Sequence, residues 1–347
     1  MKKEVLSLLI LGLVAYQGFC CGKKDSSKKE PEWVLRPSSV YSNEEYLSSV
    51  GYAEDRNVAE SKAINGIASI FKQKVTSKQV SSDKMAQYKQ DGKVATLEQT
   101  QGFDQSILQE INEDDLIGIE VKEYWYDGKK NWYVIAILNK SKTASLYVDA
   151  ITKNQDLIES TINSSDDDLF NLYARYSFAQ GIASLNEDYI NRLSVVNAET
   201  GKKMRAECTT SKELLAKKIE IGSNIYVNVV IDNDADGQIK KAFEDVVTEL
   251  GFNSKNKADE RYVLSGKVEY SEEATKDGKT IHCRYILSSQ LQDANKGKIF
   301  MIFAENGREG HYNIDGAKTR AIKSLVGKIK NDFSSEFESY LEKYLAD

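Results

Sequence analysis

One stretch of the sequence combines the residue types and the spacing of a calcium-binding loop. Asp232, Asp234, Asp236 and Gly237 match positions 1, 3, 5 and 6 of an EF-hand loop, where carboxylates bind Ca²⁺ and glycine allows a sharp turn. Position 12, which should be a bidentate glutamate, is Phe243. Two interpretations stay open: a weak Ca²⁺ site, or a loop between a strand and a helix whose carboxylates cap the helix N-terminus.

No other set of residues has the spacing of a catalytic or metal site. His282 and His311 are the two histidines, and neither has further ligands or an orienting partner at a recognisable spacing. The sequence motifs of phosphate-binding loops, serine hydrolases and zinc proteases are missing. We therefore predict that the protein is not an enzyme and has no cofactor, apart from the Ca²⁺ considered above.

Two of the four cysteines, Cys20 and Cys21, belong to a predicted export signal. Two lysines and an apolar run at residues 5–15 precede them, and this run is too short to span a bilayer but typical of a signal peptide. A lipobox has a small residue before its cysteine. Cys21 follows the small Cys20, whereas Cys20 follows the bulky Phe19, so we predict a signal peptide at residues 1–20 and lipidation at Cys21. A plain signal peptide cleaved nearby is the alternative.

The residues after Cys21 predict a tether. Residues 21–31 are polar and charged without apolar periodicity, so this segment should be a disordered leash. Each lipid CH₂ buried in a bilayer contributes about 0.8 kcal/mol, so several acyl chains hold the protein firmly at the membrane. Gly22 is not the acidic residue that keeps some lipoproteins at the inner membrane, so we expect a lipid-anchored, periplasm-facing protein of the bacterial outer membrane.

Cys208 and Cys283 lie in the body of the protein without metal-ligand spacing around them. They are either buried small side chains or, in an exported protein, one disulfide. The formal net charge of −6 gives no electrostatic footprint for nucleic acid. We therefore expect no nucleic-acid partner.

Residues 32–142 have the pattern of an antiparallel sheet crossed by a helix. Tyr46–Ala53 is a predicted strand, and a helix should follow from Asp55 to about Lys78. Alternating apolar residues from Ile117 predict a second strand, Asp127-Gly128 predicts a two-residue turn, and the strand from Trp132 to Leu138 is apolar on both faces and therefore central. Five aromatic side chains surround this turn and form either an interaction surface or a cover for the sheet: Tyr124, Trp125, Tyr126, Trp132 and Tyr133.

Five short motifs in this region carry a family resemblance. They are Pro31-Glu32-Trp33-Val34, Ser49-Val50-Gly51-Tyr52-Ala53, an alanine-punctuated helix from Glu60, Val121-Lys122-Glu123-Tyr124-Trp125, and Trp132-Tyr133-Val134-Ile135-Ala136. Over residues 31–142 the chain resembles the LPP20 lipoprotein family, which includes basal-disk lipoproteins of flagellated bacteria. The resemblance implies a non-enzymatic role at the outer membrane, with a flagellar association as one form of it. The resemblance to this family assigns no catalytic residue to the chain.

The rest of the chain predicts a helical connector and a second domain. Residues 143–201 have helical periodicity that breaks near Asn163, which indicates a helical hairpin. Residues 218–347 give the element order βαβββα, typical of a two-layer domain. The expected fold class is therefore α+β, with an antiparallel-sheet and helix domain, a helical hairpin connector and a βαβββα domain.

These patterns together predict a scaffold. We expect a non-enzymatic, membrane-anchored envelope lipoprotein that acts as a scaffold or assembly factor, with the membrane, envelope proteins and further copies of itself as partners. The alternative is a periplasmic ligand-responsive or calcium-responsive binding module that uses Asp232, Asp234 and Asp236.

Overall fold

The computed structural model describes residues 29–87, 117–163, 168–254, 261–274 and 280–343. The chain divides into two compact units. Unit 1 contains the residues up to Gly66 and Glu120–Ile137, and unit 2 contains Ile67–Ile119 and Leu138–Asp347. The domain boundaries predicted from the sequence stay predictions. The signal peptide and the lipidation site at Cys21 lie outside the described residues.

The first sheet has three strands and is preceded by two helical turns. The elements are α1 (Glu32–Leu35), α2 (Pro37–Val40), β1 (Tyr46–Ala53), α3 (Arg56–Gln87), β2 (Ile119–Tyr126) and β3 (Trp132–Asn139). The strand order is β1–β3–β2, so β3 is central as predicted. Its five buried residues in succession, 134–138, explain this position, because a strand covered on both faces is apolar throughout.

A close approach between β1 and α3 fixes the helix on one face of this sheet. Asp55 starts the helix, since its Oδ1 accepts hydrogen bonds from the backbone N–H groups of the two residues at 57 and 58, at 2.9 and 3.0 Å. Ala59 and Ala63 are fully buried, as the predicted stripe requires. A Cβ atom on Gly51 would lie 2.1 Å from the carbonyl oxygen of Ala59, so only glycine fits there. The helix continues to Gln87, beyond the predicted end near residue 78.

The turn between β2 and β3 is longer than predicted. It spans five residues, 127–131, and Gly128 is its one residue with positive φ, at 76°. Asp127 Oδ1 accepts hydrogen bonds from the backbone N–H groups of Lys129, Lys130 and Asn131 at 2.8, 2.8 and 3.1 Å. These donors, that of Lys129 first, lower the pKa of the Asp127 carboxyl. The predicted two-residue turn is therefore wrong, because the carboxylate organises a wider loop.

In the described part of residues 140–222, four helices follow β3, and the first two form the predicted helical hairpin. They are α4 (Lys140–Ile162), α5 (Leu169–Val196), α6 (Ala198–Glu207) and α7 (Ser211–Gly222). Thr210 and Glu213 form a reciprocal capping box at the start of α7. A small core joins α4, α5 and α7 through Ile158, Ala183 and Leu214. The last two helices were not anticipated as separate elements.

The second sheet has four strands and follows the predicted element order. Its elements are β4 (Val227–Asp232), α8 (Gln238–Glu249), β5 (Tyr262–Ala274), β6 (Ile281–Asp293), β7 (Lys298–His311), α9 (Ile314–Lys328), a π-helical turn (Ile329–Phe333) and α10 (Ser334–Lys343). The strand order is β4–β5–β6–β7, with β4 parallel to β5 and the other pairs antiparallel. Mixed helices and sheets confirm the α+β fold class.

A buried tyrosine joins the helices of unit 2 to this sheet. Tyr262 on β5 donates a hydrogen bond from its hydroxyl to Asp168 Oδ1 at 3.2 Å and accepts one from the N–H of Leu169 at 2.9 Å. Asp168 also caps α5 by accepting from the N–H of Phe170. Burial raises the pKa of Tyr262, and the Asp168 charge adds to this. The start of α5 is therefore held against the edge of the core by a network that requires a neutral tyrosine.

Candidate functional site

The aromatic residues around the β2–β3 turn do not form one surface. Side chains alternate between the two faces of a strand, so Tyr124 and Tyr126 on β2 point away from Trp125. On β3, Trp132 shares the face of Tyr126, and Tyr133 shares the face of Trp125, as the ring contacts show. The structure therefore places three of the five predicted interaction residues on one face of the sheet and two on the other.

The face that holds Tyr124 is the one covered by α3. The Arg56 guanidinium lies 4.0 Å from the centre of the Tyr124 ring, and the Tyr124 hydroxyl donates to Glu60 Oε2 at 2.9 Å. Burial is the main reason why the pKa of Tyr124 is raised, and the Glu60 hydrogen bond acts in the same direction. Tyr126 and Trp132 pack together with ring centres 5.2 Å apart. These rings mainly hold the start of α3 and the end of the hairpin together.

The opposite face carries a row of three aromatic rings, one from each strand. Tyr52 on β1 stacks on Tyr133 on β3, with centroids 5.8 Å apart, and Tyr133 packs against Trp125 on β2 at 5.3 Å. We call these three residues the aromatic ladder. Tyr52 is 59% exposed, so one end of the row is accessible to solvent. No local pattern in the sequence marks Tyr52 as part of this row, because it joins the row only through the strand order.

The segment that follows the predicted tether packs on the same face as the aromatic ladder. Trp33 is 2% exposed and packs with Ile135 and Ile137. Its indole N–H donates to Glu123 Oε2 at 2.9 Å, and the Tyr41 hydroxyl donates to Glu123 Oε1 at 3.2 Å. Burial and the Glu123 carboxylate together raise the pKa of Tyr41. We call Trp33, Tyr41 and Glu123 the N-terminal clamp, because they fix the entering chain to the sheet.

The predicted calcium loop serves as the connection between β4 and α8. Asp234 Oδ2 accepts a hydrogen bond from the N–H of Lys240 at 2.8 Å, which is the capping role of the alternative interpretation. Asn233 and Gly237 both have positive φ, at 64° and 67°. Within the described residues, no three His, Cys, Asp or Glu side chains gather into a metal-binding group. Whether Asp232, Asp234 and Asp236 bind Ca²⁺ stays a prediction.

Two further predictions concern Cys208 and Cys283 and the helices of the described residues. Cys208 is half-buried and Cys283 is buried, and both are free thiols whose pKa values are raised by burial. The structure therefore does not pair them: Cys283 is a buried small side chain as in the first interpretation, whereas Cys208 is only half-buried. Among the helices described, none has both the length and the apolar character to cross a membrane.

The comparisons with known proteins support the class predicted from the motifs. Residues 31–139 match the model of a family described as LPP20 lipoprotein, which confirms the resemblance of the N-terminal domain. This match supports a membrane-associated lipoprotein of the bacterial envelope. No curated protein matches the chain significantly.

Several solved structures are similar at low sequence identity. A minor lipoprotein of Acinetobacter baumannii is 12% identical, with 34% of this chain and 90% of that chain covered and a TM-score of 0.25. A secreted protein of Helicobacter pylori is 9% identical, with 82% and 96% covered and a TM-score of 0.39. A PelC dodecamer of Paraburkholderia phytofirmans is 21% identical, with 31% and 83% covered and a TM-score of 0.23.

Proposed function

We propose that this chain is a non-enzymatic scaffold or assembly lipoprotein, anchored through lipid on Cys21 at the periplasmic face of the outer membrane. Its aromatic ladder contacts an envelope protein held at the same membrane, for which a flagellar component is one candidate. The match of residues 31–139 to a lipoprotein family supports the anchor. The aromatic ladder supports the protein contact, because aromatic side chains are enriched where proteins bind proteins.

The N-terminal clamp is the observation that carries this proposal. Trp33 lies only twelve positions after Cys21, so an extended tether reaches at most about 40 Å from the lipid to the clamp. The clamp and the aromatic ladder occupy one face of one three-stranded sheet. A partner of the ladder must therefore also lie near the membrane. Within the proposal, a partner held at the same membrane stays within reach of the ladder.

The anchor is tested by palmitate labelling and membrane fractionation of the full chain. The wild type should incorporate label and sediment with outer membranes, and Cys21→Ala should lose both properties. Cys20→Ala is the matched control and should keep them. Membrane binding of an unlabelled Cys21→Ala protein would contradict the anchor.

The contact between the aromatic ladder and an envelope protein is tested in cells by placing a photo-crosslinking amino acid at position 52. Tyr52 is 59% exposed on the ladder, and Tyr312, which is 77% exposed in unit 2, is the matched control position. We expect a specific adduct with an envelope protein from position 52 that position 312 does not give. Identical adducts at both positions, or none at position 52, would remove the aromatic ladder from the proposal.

A further inference from the structure

The four-stranded sheet of unit 2 has one face without a covering layer of helices. In the part of the chain that is described, α8, α9 and α10 pack on the face that holds Val229, Leu264 and Leu287. The alternate side chains point the other way, and among them Ile286 and Ile299 are 41% and 48% exposed. We call this second face the open sheet face. Several exposed aliphatic residues on one uncovered sheet face make it a candidate for an interaction with a partner.

One row across the open sheet face has apolar residues at both ends and polar residues in the middle. The strand register aligns Val230 on β4, Ser265 on β5, Gln290 on β6 and Ile302 on β7. Val230 is 45% exposed and Ile302 is 68% exposed. The pattern across the strands is therefore symmetric: apolar, polar, polar, apolar.

The charges on the open sheet face balance. Among the described residues of β4 to β7, three acids and three bases point outward from it: Asp232, Glu269, Glu273, Lys267, Arg284 and Arg308. The chain as a whole carries a net charge of −6. Contact through this face therefore brings no excess of like charge together locally.

A two-fold axis parallel to the strands and between β5 and β6 makes the open sheet face complementary to itself. Such an axis places β4 of one copy over β7 of the other, so Val230 faces Ile302 at both ends of the row. It also places β5 over β6. The carboxylates of Glu269 and Glu273 then face the strand that carries Arg284.

We propose that the open sheet face binds a second copy of this chain, face to face, in a two-fold symmetric dimer. The strands β5, β6 and β7 are 13, 13 and 14 residues long. At about 3.3 Å per residue and about 4.8 Å between strands, and with the six residues of β4 covering only part of β7 of the other copy, the two faces overlap over roughly 600 Å². Specific interfaces bury about 600 to 1,000 Å² per partner, so this overlap lies at the lower end of the range for a stable dimer. This inference depends on neither the lipid anchor nor the aromatic ladder.

Cysteine crosslinking of the full chain, in whichever cell fraction contains it, tests the dimer. Ser265→Cys places a thiol next to the two-fold axis, in a Cys208→Ser background that removes the half-buried native thiol. A short bis-maleimide should then join two copies. Lys217→Cys, on the exposed surface of α7, is the control and should give little dimer. A Ser265→Cys protein that gives no more dimer than the control, or mainly larger oligomers, would overturn the proposal.

A lysine in the apolar row should prevent this crosslink. Ile302→Lys should lower the dimer yield about tenfold, which corresponds to about 1.4 kcal/mol of association free energy. Ile219→Lys is the matched control, since Ile219 is 57% exposed but lies on α7 away from the sheet. Val230→Lys replaces Ile302→Lys if circular dichroism shows that the latter is unfolded. An unchanged yield in the folded variant would contradict the dimer.

Discussion

Glu123 connects the entering chain to the first sheet. Its two carboxylate oxygens accept from Trp33 and Tyr41, which both precede β1 in the sequence. Trp33 contributes mainly through burial, because its side chain is 2% exposed against Ile135 and Ile137. The hydrogen bond then fixes the orientation of the indole ring.

Trp33→Ala should destabilise unit 1 by about 3 to 5 kcal/mol, the usual cost of removing a buried tryptophan. Trp33→Phe keeps most of the apolar area and should cost only about 1 kcal/mol, for the lost hydrogen bond. Urea unfolding followed by fluorescence measures both changes. Tyr41→Phe, at an exposed hydrogen bond, is the control and should stay within about 0.5 kcal/mol of the wild type.

Asp234→Ala should destabilise unit 2 by about 1 kcal/mol in calcium-free buffer, because it removes the carboxylate that caps α8. Asp236→Ala removes the same charge from an exposed position nearby and should change stability little. Thermal unfolding with and without Ca²⁺ separates the two roles of the loop. A calcium site would raise the midpoint of the wild type with added Ca²⁺, and both variants would lose that gain.

Tyr270 should make stability depend on pH in the alkaline range. Burial, and then the charge of Asp234, raise the pKa of Tyr270 to about 12 in the folded protein, against about 10 in an unfolded chain. The folded state therefore keeps the proton that the unfolded state loses. This contribution is complete below pH 10 and is lost as the pH rises to about 12.

The free energy of unfolding should consequently fall less steeply between pH 10 and pH 11 in Tyr270→Phe than in the wild type. Urea titrations at several pH values in this range measure the slope. Tyr312→Phe, which changes a tyrosine that is 77% exposed, should follow the wild type. Equal slopes in all three proteins would show that Tyr270 does not titrate differently in the fold.

The contact between β1 and α3 depends on the absence of a Cβ atom at Gly51. At Gly51 a Cβ atom would lie 2.1 Å from the Ala59 carbonyl oxygen and 2.4 Å from the Ala63 nitrogen, and both of these are backbone atoms that cannot move alone. Gly51→Ala should therefore cost about 3 kcal/mol or more. Gly128→Ala has open space but a φ of 76°, so it should cost only about 1 kcal/mol. Thermal unfolding of the two variants checks this order.

Periodicity was enough to predict most strands and helices, and it failed where side chains reorganise the backbone. The alternation in β2 and the apolar character of β3 predicted a hairpin with β3 in the centre, and the sheet confirms it. The turn was wrong because the Asp127 carboxylate accepts three backbone hydrogen bonds. The π-helical turn at Ile329–Phe333 has no sequence signal, since the apolar spacing on either side is helical.

The candidate site was predicted only in part, because side chains that are adjacent in sequence point to opposite faces of a sheet. The five aromatic residues near the turn were grouped by their positions along the chain, whereas the strand alternation divides them between two faces. Tyr52 belongs to the aromatic ladder through the pairing of β1 with β3, a contact between distant parts of the chain. Such pairing cannot be derived from local periodicity.

The division into two units should be visible in unfolding experiments on the complete chain. All three tryptophans, Trp33, Trp125 and Trp132, lie in unit 1. Tryptophan fluorescence therefore reports on unit 1, whereas far-ultraviolet circular dichroism is dominated by the helices of unit 2. We expect the two signals to have different urea midpoints, and Trp33→Ala should move only the fluorescence midpoint. Coincident transitions in both proteins would indicate one cooperative unit.

The N-terminal clamp also determines where a mechanical load enters the protein. If the proposed lipid and its partner are pulled apart, tension along the leash reaches Trp33 first, and the indole ring passes it to the central strand through Ile135 and Ile137. The force is thereby distributed over neighbouring strands and does not peel a loose terminus from the surface. A load on the proposed anchor would therefore act on the core of the first sheet directly, without first detaching a terminal segment.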